Sequence, residues 1–321
     1  SERKIRHRSK LRAWLQTQVE KNVRYNVFVQ RLVRAQGYVD ENGAVAWLEA
    51  FNRDPLALAS TTTRLFMGAQ IECAQCHDHP FAEWKQEQFL EMAAFFSRME
   101  SRTKLFSEAE ITAKLGKIKN PKRRKVILER ARRDLSSPGV FERFVGDLVV
   151  NERGEPINRK NRKQSKESNR ISPKFLFSVD TKMDLPKNRR EAFAMQLTSK
   201  DNNYFSKMGV NRLWKMMFGR GICNPVDDLS EASDYSHPEL LDDLAKAFEN
   251  DNFDIRKLLR AMALSEAYQR ASTRPVDDSS VVESGGDDLM ILYGRMPVRP
   301  VGARSLSRAI ARVMLPPKHR E

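Results

Sequence analysis

Apolar residues recur at intervals of three and four along most of this chain, and that period is the tightest constraint on its fold. Phe89, Met92, Phe96 and Met99 repeat at three, four and three, the stripe of a core-facing helix predicted from about Glu83 to Arg98. Leu11, Trp14, Leu15, Gln18 and Val19 open an amphipathic run that reads as one helix continuing past Val33 and ending near Gly37. Further helices are expected over Asn203 to Phe218, closed by Gly219 and Gly221, over Ser236 to Phe248, and over Asp254 to Tyr268. Ser236 and Glu239 have the spacing of a capping box, and Leu241, Leu244 and Phe248 form the stripe behind it, so His237 needs no other reason to be there. The pattern changes in between. Lys117 to Leu135 reads as a charged helix stopped by Ser136, Ser137, Pro138 and Gly139, while FVGDLVV (144–150) and KFLFSVD (174–180) suggest two short strands. The expectation is a mainly α protein: helical domains over 1–116 and 181–321, joined by a basic segment, 117–180, that contains short strands and loops.

One pentapeptide names a chemistry. Cys73, Ala74, Gln75, Cys76 and His77 read CAQCH, the spacing with which a chain takes haem c onto two cysteines and holds the iron with the adjacent histidine. With three cysteines and five histidines in 321 residues, accident explains that spacing poorly. Phe66, Ala69, Cys73 and Cys76 fall at three, four and three, which predicts a single helical stripe with both thiols on one side, His77 within reach, and Pro80 as the stop. On this reading Cys73 and Cys76 form thioethers and His77 is the proximal iron ligand. A zinc site built from Cys73, Cys76, His77 and His79 is the rival, although only Cys223 and His237 remain elsewhere to complete it. A redox dithiol, without the usual βαβ pattern around it, and a structural cysteine pair also stand. For a sixth ligand, His79 is too close to His77 to reach the opposite porphyrin face. Met67, Met92 and Met99 suit chemically, but the helical stripe assigns Met92 and Met99 to the core.

The run LASTTTRLFMGAQIECAQCHDHPFAEWKQEQFLEMAAFFSR (58–98), preceded by LRAWLQTQVEKNVRYNVFVQRLV (11–33), resembles the motif-bearing segment of planctomycete-type cytochrome-like proteins. The runs at 202–248 and 253–272, with GRMPVRPV (294–301), resemble that family's C-terminal partner domain of unknown function. The resemblance implies a c-type cytochrome resting on Cys73, Cys76 and His77, outside the cytoplasm, followed by a second helical domain. Residues 117–170 depart from it by being more basic.

Charge bounds the partners. Lys and Arg outnumber Asp and Glu by 57 to 42, a net charge of +15, concentrated at 117–133 and 153–170. Such stretches attract an acidic redox protein or an anionic polymer; lacking interleaved aromatic residues, they argue against nucleic acid. No apolar run is long enough for a transmembrane span, and the polar opening SERKIRHRSK is no secretory signal. Because the chain opens on what resembles an internal helix of that family's first domain, it is expected to be a fragment or processed form, and the haem c reading implies an extracytoplasmic, periplasmic or cell-surface location. Asp227, Asp228, Asp234, Asp242 and Asp243 supply carboxylates without the alternating pattern of a calcium loop, and helix-start or surface roles suffice for them. Asn211, Arg212, Trp214 and Arg220 fit either a ligand cleft or helix packing. With no GxSxG elbow and no phosphate-cradling glycine loop, the leading expectation is electron transfer; the alternative is a zinc-stabilised or structural module that binds an anionic polymer or acidic protein.

Overall fold

The computed structural model describes residues 2–80, 82–105, 136–143, 146–151, 154–157, 169–177, 188–272 and 291–297, with isolated positions at 109, 111, 126, 302, 305–307 and 309–310. The expected charged helix at 117–135 lies almost wholly outside them. The fold is mainly α, as the apolar period requires.

The N-terminal part differs from the sequence reading at its first turn. Two helices, α1 (Glu2–Glu20) and α2 (Tyr25–Val33), stand where one was expected. Asn22 takes a left-handed φ of 47°, its amide donates to Asp254 Oδ1 at 3.2 Å, and the Tyr25 N–H donates to the Phe253 carbonyl at 3.0 Å. A residue more than two hundred positions away thus ends α1, which no local pattern could announce. Next come β1 (Gly37–Tyr38), α3 (Val45–Ala50) and α4 (Pro55–Met67), the last started by the Asp54 carboxylate accepting from Leu56 N–H at 3.0 Å, with Pro55 in its first turn. After α5 (Gln86–Ala94), Phe96 is still buried but Met99 begins strand β2 (Met99–Lys104) and does not extend the helix. The strand β3 (Ser137–Glu142) lies between β1 and β2, antiparallel to both. Ser136 to Gly139, expected to be a stop, therefore runs into the central strand of a sheet. Tyr38 explains why Gly139 is tolerated there: its ring occupies the space beside the backbone, 2.7 Å from where a Cβ would sit, and meets Phe141 edge-on at 5.2 Å.

Strand β4 (Leu148–Val150) falls inside the expected FVGDLVV strand, but its partner is β5 (Asn169–Ile171), not KFLFSVD. Residues 172–177 form no strand; Phe175 is buried against Phe193, and Phe177 stacks on Tyr204.

The C-terminal part follows its sequence pattern more closely. Helix α6 (Arg189–Leu197) leads to α7 (Asn203–Phe218), which has the expected bounds and is closed by Gly219 at φ 87°. A two-stranded ladder of β6 (Cys223–Asn224) and β7 (Asp234–Tyr235) precedes α8 (Pro238–Asn250). The expected capping box does not form. Ser236 donates its hydroxyl to the Ile222 carbonyl at 3.1 Å, closing the end of the ladder, and the cap position falls to His237 without a side-chain bond. Leu241 and Phe248 are buried as the stripe predicts. The last expected helix is two, α9 (Ile255–Leu264) and α10 (Glu266–Gln269), because Ser265 turns extended and accepts from the Tyr268 N–H.

Buried residues from both parts form one hydrophobic cluster. Arginines from the second part close helices of the first. The last carbonyls of a helix have no partner within it, and a guanidinium offers both donors and a charge that suits the dipole. Arg256 donates to the Val19 and Glu20 carbonyls at the end of α1. Arg190 reaches Val33 and Ala35 at the end of α2 (3.1 and 2.8 Å), Arg212 reaches Leu65 in α4 (3.0 Å), and Arg189 reaches Ala94 in α5 (3.2 Å).

Candidate functional site at the CAQCH loop

The helix expected to run through the motif stops before it. Gly68 caps α4 in the left-handed region (φ 61°, ψ 24°), where a side chain would be strained, and its N–H bonds back to the Thr63 carbonyl. Leu229 fills the space a Gly68 side chain would need, 2.6 Å from the position of a Cβ. The motif itself lies on a single 3-10 turn, Glu72–Gln75, and the residues after it. Its orientation reverses the expected stripe: Phe66, Ala69, Ile71 and Ala74 are buried, while Cys73, Cys76 and His77 are exposed. Two apolar residues hold the turn down, and the chemically active ones face outward.

Both thiols are free. The His77 Nδ1 lies 2.7 Å from the Asp78 carbonyl oxygen, which can only accept, so Nδ1 carries a proton and Nε2 is the nitrogen left for a ligand. A backbone carbonyl that fixes the tautomer in this way is the usual support for an imidazole that ligates metal. His79 is differently employed. Its Nδ1 accepts from the Ala82 N–H at 2.9 Å and its own N–H donates to the Trp84 carbonyl at 2.7 Å, so it holds the loop and its Nδ1 lone pair is taken.

Asp78 links the loop to α5: its carboxylate accepts from the Gln86 N–H at 2.9 Å, and the Gln86 amide donates to the Gln75 carbonyl at 3.2 Å. The Lys85 N–H, one residue earlier, is satisfied by the Gln88 side chain at 2.8 Å. None of these loop contacts was legible in the sequence, although an Asp one residue past the histidine and a Gln at a helix start are the signals that would have suggested them.

The other residues considered for ligation lie elsewhere. Met67 and Met92 are fully buried in the core, and Met99 is half-buried in β2. Cys223 is buried, its thiol donates to the Asp228 carbonyl at 3.0 Å, and desolvation pushes its pKa up. His237 packs beside the Tyr293 ring at 5.9 Å. Among the described residues, no three His, Cys, Asp or Glu side chains are grouped to hold a metal ion. The residues that could hold a prosthetic group are Cys73, Cys76 and His77, two exposed thiols and an exposed imidazole within five positions.

The carboxylates and the VNRLW residues have structural work. Asp227 pairs with Arg64 at 3.1 Å, Asp234 with Arg220, and Asp242 with Lys207 at 2.6 Å. Asn211 is wholly buried and spends its amide on Cys223 and Val226, and Trp214 stacks on Phe218 at 3.9 Å, so neither lines a cleft. No helix among the described residues is long and apolar enough to cross a membrane.

Comparison with known proteins finds two domain families. Residues 1–101 match PSCyt2, a protein of unknown function (DUF1549), and residues 189–313 match PSD1, a protein of unknown function (DUF1553). No curated protein and no solved structure matches. The chain thus joins two segments similar to domains of unknown function, in a pairing typical of planctomycete-type proteins.

Proposed function

We propose that Cys73 and Cys76 attach a c-type haem through thioethers, with His77 as its proximal ligand, and that the chain is an electron carrier acting outside the cytoplasm. The observation that carries this reading is the outward presentation of both free thiols and of an imidazole whose Nδ1–H is committed to the Asp78 carbonyl, at the c-type spacing. A bound haem supplies one-electron chemistry. The chain's own residues would hold it: the Cys73 and Cys76 sulfurs would carry the thioethers, His77 would be the proximal ligand, and the Asp78 carbonyl 2.7 Å from its Nδ1 would keep the imidazole from turning. An attachment point on the surface keeps the route to a partner short. The net charge of +15 steers an acidic redox protein toward it, and this partner suits an electron carrier better than an anionic polymer does. Bacterial haem c attachment takes place outside the cytoplasm, which sets the proposed location.

The test is purification from the natural host, or from a host that exports the chain together with haem-attachment machinery. The expected product is red, with a Soret band that survives acid-acetone extraction and disappears in a Cys73→Ala/Cys76→Ala variant. His77→Ala should keep the thioethers and shift or abolish the low-spin spectrum. Colourless protein with stoichiometric zinc, or haem lost on extraction, sinks the reading, and an unchanged spectrum in His77→Ala removes that residue from its role.

A further inference from the structure

We propose that α7 is a mount holding the CAQCH loop at both ends, so that the segment similar to PSD1 sets the position of the motif carried by the segment similar to PSCyt2. Within residues 71–78 only Ile71 and Ala74 are buried, and beyond them the loop is tied to α5 through Asp78 and Gln86.

At the incoming end, Arg212 of α7 donates to the Leu65 carbonyl at 3.0 Å, and the Leu229 N–H donates to the Gly68 carbonyl at 2.8 Å while its side chain packs against that glycine. Leu229 belongs to a loop that α7 itself shapes. The buried Asn211 amide donates to the Cys223 and Val226 carbonyls (2.9 and 3.2 Å) and accepts from the Cys223 N–H (3.0 Å). The Cys223 thiol then holds the Asp228 carbonyl at 3.0 Å, and the Asp228 carboxylate accepts from the Ser230 N–H at 3.0 Å, which fixes Leu229 between them. Cys223, otherwise without a role, becomes part of this mount.

At the outgoing end, the His79 N–H donates to the Trp84 carbonyl at 2.7 Å. The Trp84 ring meets Phe177 edge-on at 5.8 Å, and Phe177 stacks on Tyr204 of α7 at 4.3 Å with the planes 2° apart. Tyr204 and Arg212 are two turns apart on one helix, a rigid span of about 12 Å. One rod therefore touches the chain before the first cysteine through Arg212 and reaches it after the second histidine through Phe177, which lies between Tyr204 and Trp84.

This role holds for the loop whatever group the motif carries. The test uses the full chain without cofactor and reads amide hydrogen exchange, so it can fail without the haem reading failing, and the reverse. In Tyr204→Ala and Leu229→Ala, exchange at Ala74 and His79 should quicken about tenfold, the loss of one such contact. Amides of α8 should stay within about twofold of the original, because the loss is local. Tyr204→Phe, which keeps the stacked ring, should behave as the original chain does. Unchanged exchange in the loop, or acceleration spread equally into α8, overturns the proposal.

Discussion

Replacing Glu142 with Met should cost the fold about 3–5 kcal/mol, because it strands a buried guanidinium. The Arg190 side chain is 0% exposed and that of Glu142 6%, with Nε and Oε2 2.8 Å apart. Burial drives both groups toward neutrality: desolvation pushes the Glu142 carboxyl up against the pull of Arg190, and it pushes the Arg190 guanidinium down. Each charge is tolerable only beside the other. Arg190→Met should cost as much or more, since it also orphans the Val33 and Ala35 carbonyls at the end of α2, at roughly 1–3 kcal/mol for each group left unpaired. The double variant Arg190→Met/Glu142→Met removes both charges and fills similar volume, so it should cost at least ~2 kcal/mol less than the sum of the singles. For a chain of 321 residues, a single substitution corresponds to a fall in Tm of about 5–7 °C, read by circular dichroism alongside urea midpoints. Singles costing less than ~1 kcal/mol, or costs that simply add, refute the argument that this pair is interdependent.

Asp254 should govern part of the acid limb. It starts α9 by accepting from the Arg256 and Lys257 N–H groups and pairs with Asn22 and Arg24; burial works upward on its carboxyl, but these bonds outweigh it and hold the pKa below the ordinary 3.8. Its contribution is whole above 3.8 and lost as pH falls through the depressed value, so Asp254→Asn should flatten stability measured from about pH 5 to about pH 2, and an unaltered slope contradicts this. Iodoacetamide should label Cys73 and Cys76 in the native haem-free chain and spare Cys223, which is buried and whose thiol pKa is raised by desolvation; mass spectrometry showing equal rates at all three would oppose the described packing.

Where local pattern and tertiary packing agreed, the chain was readable. The bounds of α7 with Gly219 as its stop, the stripe of α8, and Phe89, Met92 and Phe96 as core were readable in this way, because a helix that buries one face must repeat it every three or four residues. The chemical types at the site were readable too: Cys73, Cys76 and His77 are named by their order alone. Their setting was not. The same spacing predicted one helical stripe running from Phe66 and Ala69 through both cysteines, and Gly68 broke it by ending α4, so that Phe66 and Ala69 are buried while the motif's thiols face solvent.

Sequence alone determined the helical period, the basic charge and the thiol–thiol–imidazole order, since each is a property of the covalent chain. Tertiary structure decided where helices end: Asn22 breaks α1 for the sake of Asp254, Ser137–Glu142 becomes a central strand between β1 and β2, and Arg189, Arg190, Arg212 and Arg256 close helices distant in the sequence. The physical reason is common to all of them. A helix terminus leaves backbone groups unpaired, and which partner satisfies them depends on what the folded chain brings near, not on what precedes or follows in the sequence.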